Sequence, residues 1–197
     1  MPHYYDEEQT SAFEPFLLNI KLKDLAFTVY AASGVFSLRR LDKGTEVLLQ
    51  YCELPDSGRV LDLGCGYGVV ACAIKMRKPG CEVLASDVNE RSLKLTRMNA
   101  RHLNLDIKVM KSNLFDNIEP VDTVLVNPPY VAGRKLIFKL IEDALTNLNE
   151  GGNLQLVARH QKGGKMLEEK MQEVFGNVET IGKKAGFRVY KSEKSTN

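Results

Sequence analysis

This sequence predicts an α/β fold: a mostly parallel seven-stranded sheet whose last strand is antiparallel, with helices on both faces. Two observations predict it. From Arg59 onward, short apolar runs alternate with longer stretches of helical periodicity. Strands that alternate with helices give a parallel sheet covered on both faces. The closing segment, NVETIGKKAGFRVYK, holds two short runs around a Lys-Ala-Gly turn, too close together for anything but antiparallel pairing.

Before Arg59 the elements are least legible. FLLNIKLKDLAFTVYAASGVFS suits strands in a hairpin or a cap, with Gly34 at a bend. The expected organisation is a single domain over 1–197, with 1–33 as an N-terminal extension or cap and 34–197 as the core. DKGTEVLLQYCEL reads as a helix capped near Thr45. RVLDLG, bounded by Gly58 and Gly64, is the first strand of the repeat, and GVVACAIKMRK is a helix halted by Pro79-Gly80. EVLASD (82–87) is the second strand. Asn89 can cap the next helix, on which Leu93, Ala100 and Leu103 share a face. IKVMKS (107–112) and VDTVLVN (121–127) are the third and fourth strands. A helix over 135–148 is closed by Gly151-Gly152. NLQLVAR (153–159) is the fifth strand, and GGKMLEEKMQEVFG a further helix before the closing pair.

With 197 residues, 44% hydrophobic and 26% charged, the chain has the length and composition of one globular domain. No apolar run is long enough to span a membrane, and MPHYYDEEQT lacks the layout of a secretion signal. Cys52, Cys65, Cys72 and Cys81 form no CxxC pair and have no matched histidines. The expectation is therefore no metal, no disulfide framework, and reduced thiols in a cytoplasmic protein. A net charge of +2 does not by itself argue for nucleic acid. Its distribution says more, because the surplus of Lys and Arg falls after Asn127. Monomer and weak dimer both stay open.

VLDLGCGYGVV sets Asp62, Gly64, Gly66 and Gly68 between the first strand and its helix. Glycines there permit a tight turn and let a ligand lie against bare backbone. The spacing G-x-G-x-G differs from the dinucleotide fingerprint. Asp87, closing the second strand, can accept hydrogen bonds from both hydroxyls of a ribose. Together they point to an adenosine-like ligand in the crevice beyond the carboxyl ends of the strands.

DLGCGYG followed by an acid at the end of the next strand resembles the S-adenosylmethionine loop of class I methyltransferases, a Rossmann-like fold. NPPY (127–130) is similar to their amino-group-methylating branch. GVFS (34–37), DKGTEVLL (42–49), SNLF (112–115), NPPY and GFRVYK (186–191) stand in the order seen in ribosomal RNA guanine-N2 methyltransferases, and more specifically the chain resembles their single-domain archaeal relatives. The resemblance implies S-adenosylmethionine as cofactor. Gly64, Cys65, Gly66 and Gly68 would face its methionine and ribose, Asp62 its amino group, and Asp87 the ribose hydroxyls. Val88, Asn113, Leu114 and Asn127 would complete the contacts. Asn113 stands where many relatives have an aspartate, and its carbonyl can accept the same bond from adenine.

An amino group on a base is a poor nucleophile because its lone pair is delocalised into the ring. In the implied mechanism the Asn127 carboxamide oxygen and the Pro128 carbonyl accept hydrogen bonds from it and turn the lone pair out of the ring plane. Pro128 and Pro129 stiffen the backbone for this, and Tyr130 offers a stacking surface. On this reading an aspartate at 127 would still accept and keep partial activity. Asn and Pro are also ordinary turn residues, so NPPY acquires this meaning only beside the glycine loop.

The expected substrate is guanine N2 of ribosomal or other structured RNA, with Phe36, Tyr130 and Arg134 as substrate contacts. NPPYV equally resembles enzymes that methylate protein glutamine, and NPPY occurs in adenine methylases. A catalytically retired RNA-binding protein is the non-enzyme alternative.

Overall fold

The computed structural model describes residues 13–33, 40–129 and 133–196. Its expected α/β sheet is present. Strands β1 (Phe16–Lys21) and β2 (Ala26–Ala31) form an antiparallel hairpin, which resolves the opening segment in favour of strands. Then follow α1 (Lys43–Tyr51), β3 (Gly58–Leu63), α2 (Val69–Arg77), β4 (Cys81–Asp87), α3 (Glu90–His102), β5 (Ile107–Lys111) and β6 (Val121–Val126). The chain closes with α4 (Arg134–Asn147), β7 (Leu148–Arg159), an irregular wide turn at His160–Gly164, α5 (Lys165–Phe175), β8 (Glu179–Lys184) and β9 (Phe187–Glu193). The seven-stranded sheet has the order β5-β4-β3-β6-β7-β9-β8, and β9 alone runs against its neighbours.

Alternation along the strands divides the core in two. Val60, Val83, Ala85, Leu125, Val157 and Val189 face the side covered by α1, α2 and α3. Leu18, Ile20 and Val29 of the hairpin join this layer. Leu61, Leu84, Val124, Leu154 and Tyr190 face α4 and α5. Both faces of the central strands are therefore apolar, as a sheet covered on both faces requires.

Three local readings are corrected. The helix over 43–51 is capped by Asp42, whose carboxylate accepts from the Thr45 N–H at 2.9 Å, rather than at Thr45. Gly151-Gly152 does not close a helix: α4 ends at Asn147, and the glycines lie inside the longer strand β7, where its register against β6 shifts. Gly151 takes φ +71° there and donates to the Lys194 carbonyl, so its conformational freedom serves a bulge. The helix at 163–176 starts later, at Lys165, because the Lys162 and Gly163 dihedrals are non-helical.

Gly182 shows how closely α1 meets β8. A Cβ there would lie 2.2 Å from Tyr51 Cγ and 2.4 Å from its Cβ, atoms that cannot swing aside. Gly182→Ala is expected to destabilise by about 2 kcal/mol through overpacking, lowering the melting temperature by roughly 4–8 °C in a thermal melt.

Candidate functional site

At the carboxyl end of β3 the chain turns through Gly64, Gly66 and Gly68 with φ of +75°, +57° and +80°, a left-handed run that favours glycine. Gly64 and Cys65 both donate to the Ser86 carbonyl, at 2.8 and 2.9 Å, and so stitch the loop to β4. From beneath, Thr96 Oγ1 donates to the Gly66 carbonyl at 3.1 Å, and buried Asn99 donates to the Tyr67 and Tyr30 carbonyls. A Cβ on Gly68 would come within 2.7 Å of Thr96, whereas one on Gly64 would meet nothing within 4 Å. The loop is thus closed on its helix side and open on the other.

That open side borders a cleft of about 370 Å³. Asp62, Gly64, Cys65, Gly66, Asp87, Val88, Asn113, Leu114, Asn127 and Pro129 line it, bringing together most of the residues expected at the site. Gly68 shapes the turn beneath, and Pro128 is buried behind the wall. Arg134 does not line the cleft; its guanidinium lies 6.0 Å over the Phe138 ring with Nη1 3.7 Å from Met166 Sδ. Phe36 and Tyr130, like Val35 and Ser37, lie outside the described residues.

The two acids are fixed by backbone. Asp62, 4% exposed, accepts from the Ala71 N–H at 3.0 Å. It caps the first turn of α2, a service that the Gly68 N-cap cannot perform. Burial pushes its carboxyl up to about 7, with the charge of Asp87 adding and the Ala71 bond opposing. Asp87 accepts from Gly66 N at 3.0 Å through one oxygen and from Asn89 N at 2.9 Å through the other. Burial raises its pKa too, against those bonds. The Val88 backbone and the Ser92 side chain also hydrogen-bond to Asp87.

Asn127 leaves the end of β6 with its amide nitrogen 2.8 Å from Asp42 Oδ2 and 3.0 Å from Thr45 Oγ1. A carboxylate only accepts, so the NH₂ must face Asp42, and the carboxamide oxygen is left for another donor. The first turn of α1 makes room for this. A Cβ on Gly44 would sit 3.2 Å from Asn127 Nδ2 and 3.0 Å from Asp42 Oδ2.

Several residues of the site went unread in the sequence. Asp42 and Thr45 announced only a helix cap. Ser86, fully buried on the cleft wall, has a hydroxyl oxygen with no hydrogen-bond partner among the described residues. Leu136, Ile137 and Leu140 of α4 add an apolar side. Leu114 holds φ +53°, a conformation unusual for leucine that occurs where surrounding structure imposes it. An unpartnered hydroxyl, two carboxylates, bare glycine backbone and an apolar wall fit a cationic adenosine-like ligand.

Comparison with known proteins agrees with this architecture. The family model described as Methyltransferase small domain matches residues 26–191. The chain belongs to this family. An uncharacterized protein of Bacillus subtilis (strain 168), YbxB, is 32% identical over 197 residues, covering 98% of each chain. Ribosomal RNA small subunit methyltransferase C of Haemophilus influenzae (strain PittGG) is 32% identical over 168 residues, 83% of this chain and 50% of that one. The chain thus spans about half the length of the ribosomal RNA methyltransferases it matches. The structure of a T. thermophilus 16S rRNA N2 G1207 methyltransferase, solved with AdoMet and guanosine, superposes with a TM-score of 0.81 at 22% identity, over 95% of this chain and 52% of that one. That likeness shows the fold, which is the Rossmann-like methyltransferase fold. Among the described residues no helix is long and apolar enough to cross a membrane.

Proposed function

We propose that this methyltransferase uses S-adenosylmethionine to methylate an exocyclic amino group, and that the amino group is N2 of a guanine in ribosomal RNA. The observation that carries the reading is the Asn127 carboxamide, turned by Asp42 and Thr45 so that its oxygen is the free acceptor beside a carboxylate-lined cleft. Relatives named as ribosomal RNA small subunit methyltransferases support the choice of RNA. The described elements would act as one unit in the cytoplasm.

Asp87 would take the ribose hydroxyls and Asp62 the methionine ammonium. The backbone of Gly64, Cys65 and Gly66 would lie along the ligand, with Val88, Asn113 and Leu114 around its adenine and Ser86 offering its unused hydroxyl. When bound, S-adenosylmethionine supplies an electrophilic methyl on a sulfonium. The chain's part is positioning and electrostatic preorganisation. Asn127 Oδ1 and the Pro128 carbonyl would accept from the amino group and hold its lone pair out of conjugation. Tyr130 and Phe36 would flank the base.

Asp62 makes the reading dependent on pH. Its folded pKa of about 7 stands above the ordinary 3.8, so the folded state binds more protons than the unfolded state between those values. Stability contributed by this group therefore falls as pH rises through that window. Binding of a cation there needs the carboxylate, so cofactor affinity should rise with pH, by up to about tenfold per unit below 7, and level off above it. Calorimetry from pH 5.5 to 8.5 checks this, and Asp62→Asn should flatten the wild-type rise.

The direct test is incubation with methyl-labelled S-adenosylmethionine and separated RNA, DNA and protein fractions of a cell extract. Label recovered as N2-methylguanine in small-subunit ribosomal RNA is the expected result. Label in adenine or in a protein glutamine would reassign the substrate, and none in any fraction would refute the activity.

A further inference from the structure

We infer that the β8–β9 hairpin tip and the adjoining turn at 160–164 form the surface that carries the RNA backbone to the Asn127 cleft. The inference rests on the proposed activity and adds a location and a polarity to it.

Topology sets the place. β7 runs parallel to β6, so Arg159 and Asn127 emerge at the same end of the sheet. β9 is antiparallel and starts at that end, with Phe187 paired to Arg159. Phe187 also reaches the site itself: a Cβ built on Gly44 would touch Phe187 Cε1 at 3.1 Å and Asn127 Nδ2 at 3.2 Å. Ring edge and carboxamide therefore border one small space. Arg159 is exposed and lies 4.9 Å over the Phe187 ring, in a cation–π arrangement that leaves its N–H groups free to meet phosphate.

The platform is rigid. His160 N donates to the Gly186 carbonyl at 3.0 Å, and His160 Nδ1 meets Tyr190 Oη at 2.8 Å, so turn and hairpin move together. Tyr51 Oη donates to the Lys183 carbonyl, and Lys184 binds Glu46 and Gln50 of α1. A shallow hollow of about 340 Å³ lies between the two loops.

Its charge is unspent. Lys162, Lys183 and Arg159 are exposed, and among the described residues none is ion-paired to a carboxylate. The opposite flank differs. Lys139 and Lys170 near α4 are neutralised by Asp143, Glu142 and Glu173, and Arg134 is folded onto Phe138 and Met166, which leaves exposed Lys135 as the cation on that flank without an ion pair among the described residues. Around Asn127 the molecule is thus polarised, with carboxylates Asp62 and Asp87 on the side of a cationic ligand and unpaired cations on the hairpin side. Phosphates are repelled from the first and attracted to the second. The sequence names Arg134 as a substrate contact; the fold points instead to residues 159–188 for the RNA backbone.

The test is fluorescence anisotropy of a labelled guanine-containing single-stranded RNA across a salt series. Wild type is compared with Arg159→Gln/Lys162→Gln/Lys183→Gln and with Lys135→Gln. The triple variant should bind more weakly, with the slope of log affinity on log salt smaller by about 2. It should show a KM for RNA raised about tenfold or more, with cofactor affinity and melting temperature unchanged. Lys183→Gln alone, at the exposed tip, gives a smaller change of the same sign should the triple variant fold poorly. Wild-type slope and KM in the hairpin variants, or a slope lost in Lys135→Gln instead, would overturn the inference while leaving methyl transfer by wild type intact. So would tight binding of a polyglutamate peptide in place of RNA. Absence of methyl transfer by wild type would strike the proposed activity instead.

Discussion

Asn127→Ala is expected to slow single-turnover methyl transfer by about 100-fold or more, on the order of 3 kcal/mol, with cofactor affinity nearly unchanged. The effect is large because the carboxamide oxygen would contact the substrate amino group in the transition state, and its nitrogen is already committed to Asp42 and Thr45. The same geometry revises the expectation for Asn127→Asp. An aspartate would set a second carboxylate against Asp42 Oδ2, at the 2.8 Å now spanned by an N–H donor, so this variant should be nearly as impaired as alanine. Asp42 acts through Asn127 and should follow it in part. Asp42→Ser can still cap α1 through the Thr45 N–H, preserving stability, yet is too short to hold the carboxamide. It should lower kcat about tenfold while KM for the cofactor stays put. Wild-type transfer in Asn127→Ala would reduce NPPY to a turn.

Asp87→Ala should weaken S-adenosylmethionine by roughly 10–100-fold, about 1.5–3 kcal/mol, the loss of hydrogen bonds to a charged acceptor. Two effects combine. The carboxylate is the proposed partner of the ribose hydroxyls, and it also anchors Gly66 N and Asn89 N, so its removal loosens both the glycine loop and the start of α3. Asp87→Asn separates them, because its amide oxygen can retain one anchor while charge is lost. Calorimetry at pH 8, where Asp62 is ionised, checks the ranking wild type, then asparagine, then alanine. Equal affinity in all three would remove Asp87 from the site.

Much of the site was legible in the sequence because its signals are local. Three glycines in G-x-G-x-G spacing imply positive φ between a strand and a helix, and the structure has it at all three. Asn89 caps α3 as read, through bonds to the Arg91 and Ser92 N–H groups. Readings failed where a local cue had a distant competitor. Gly151-Gly152 looks like a helix stop, but pairing with Lys194 draws it into a bulged strand. Asp42 and Thr45 look like a cap and nothing more, because their second role involves a residue 85 positions away.

By itself, then, the sequence determined the succession of strands and helices, the conformation of the glycine loop, and the presence of an acid and an amide at strand ends. These follow from side-chain periodicity and backbone φ, which residue type sets over a few positions. Only the tertiary structure decided which way the Asn127 carboxamide faces, that Ser86 keeps an unpartnered hydroxyl on the cleft wall, and that Arg159 lies over Phe187 beside Asn127 while Lys162 and Lys183 carry no ion pair among the described residues. A carboxamide has two nearly isosteric ends and a lysine no preferred neighbour. Their direction and company come from hydrogen bonds and ion pairs between segments that meet only when the sheet is assembled.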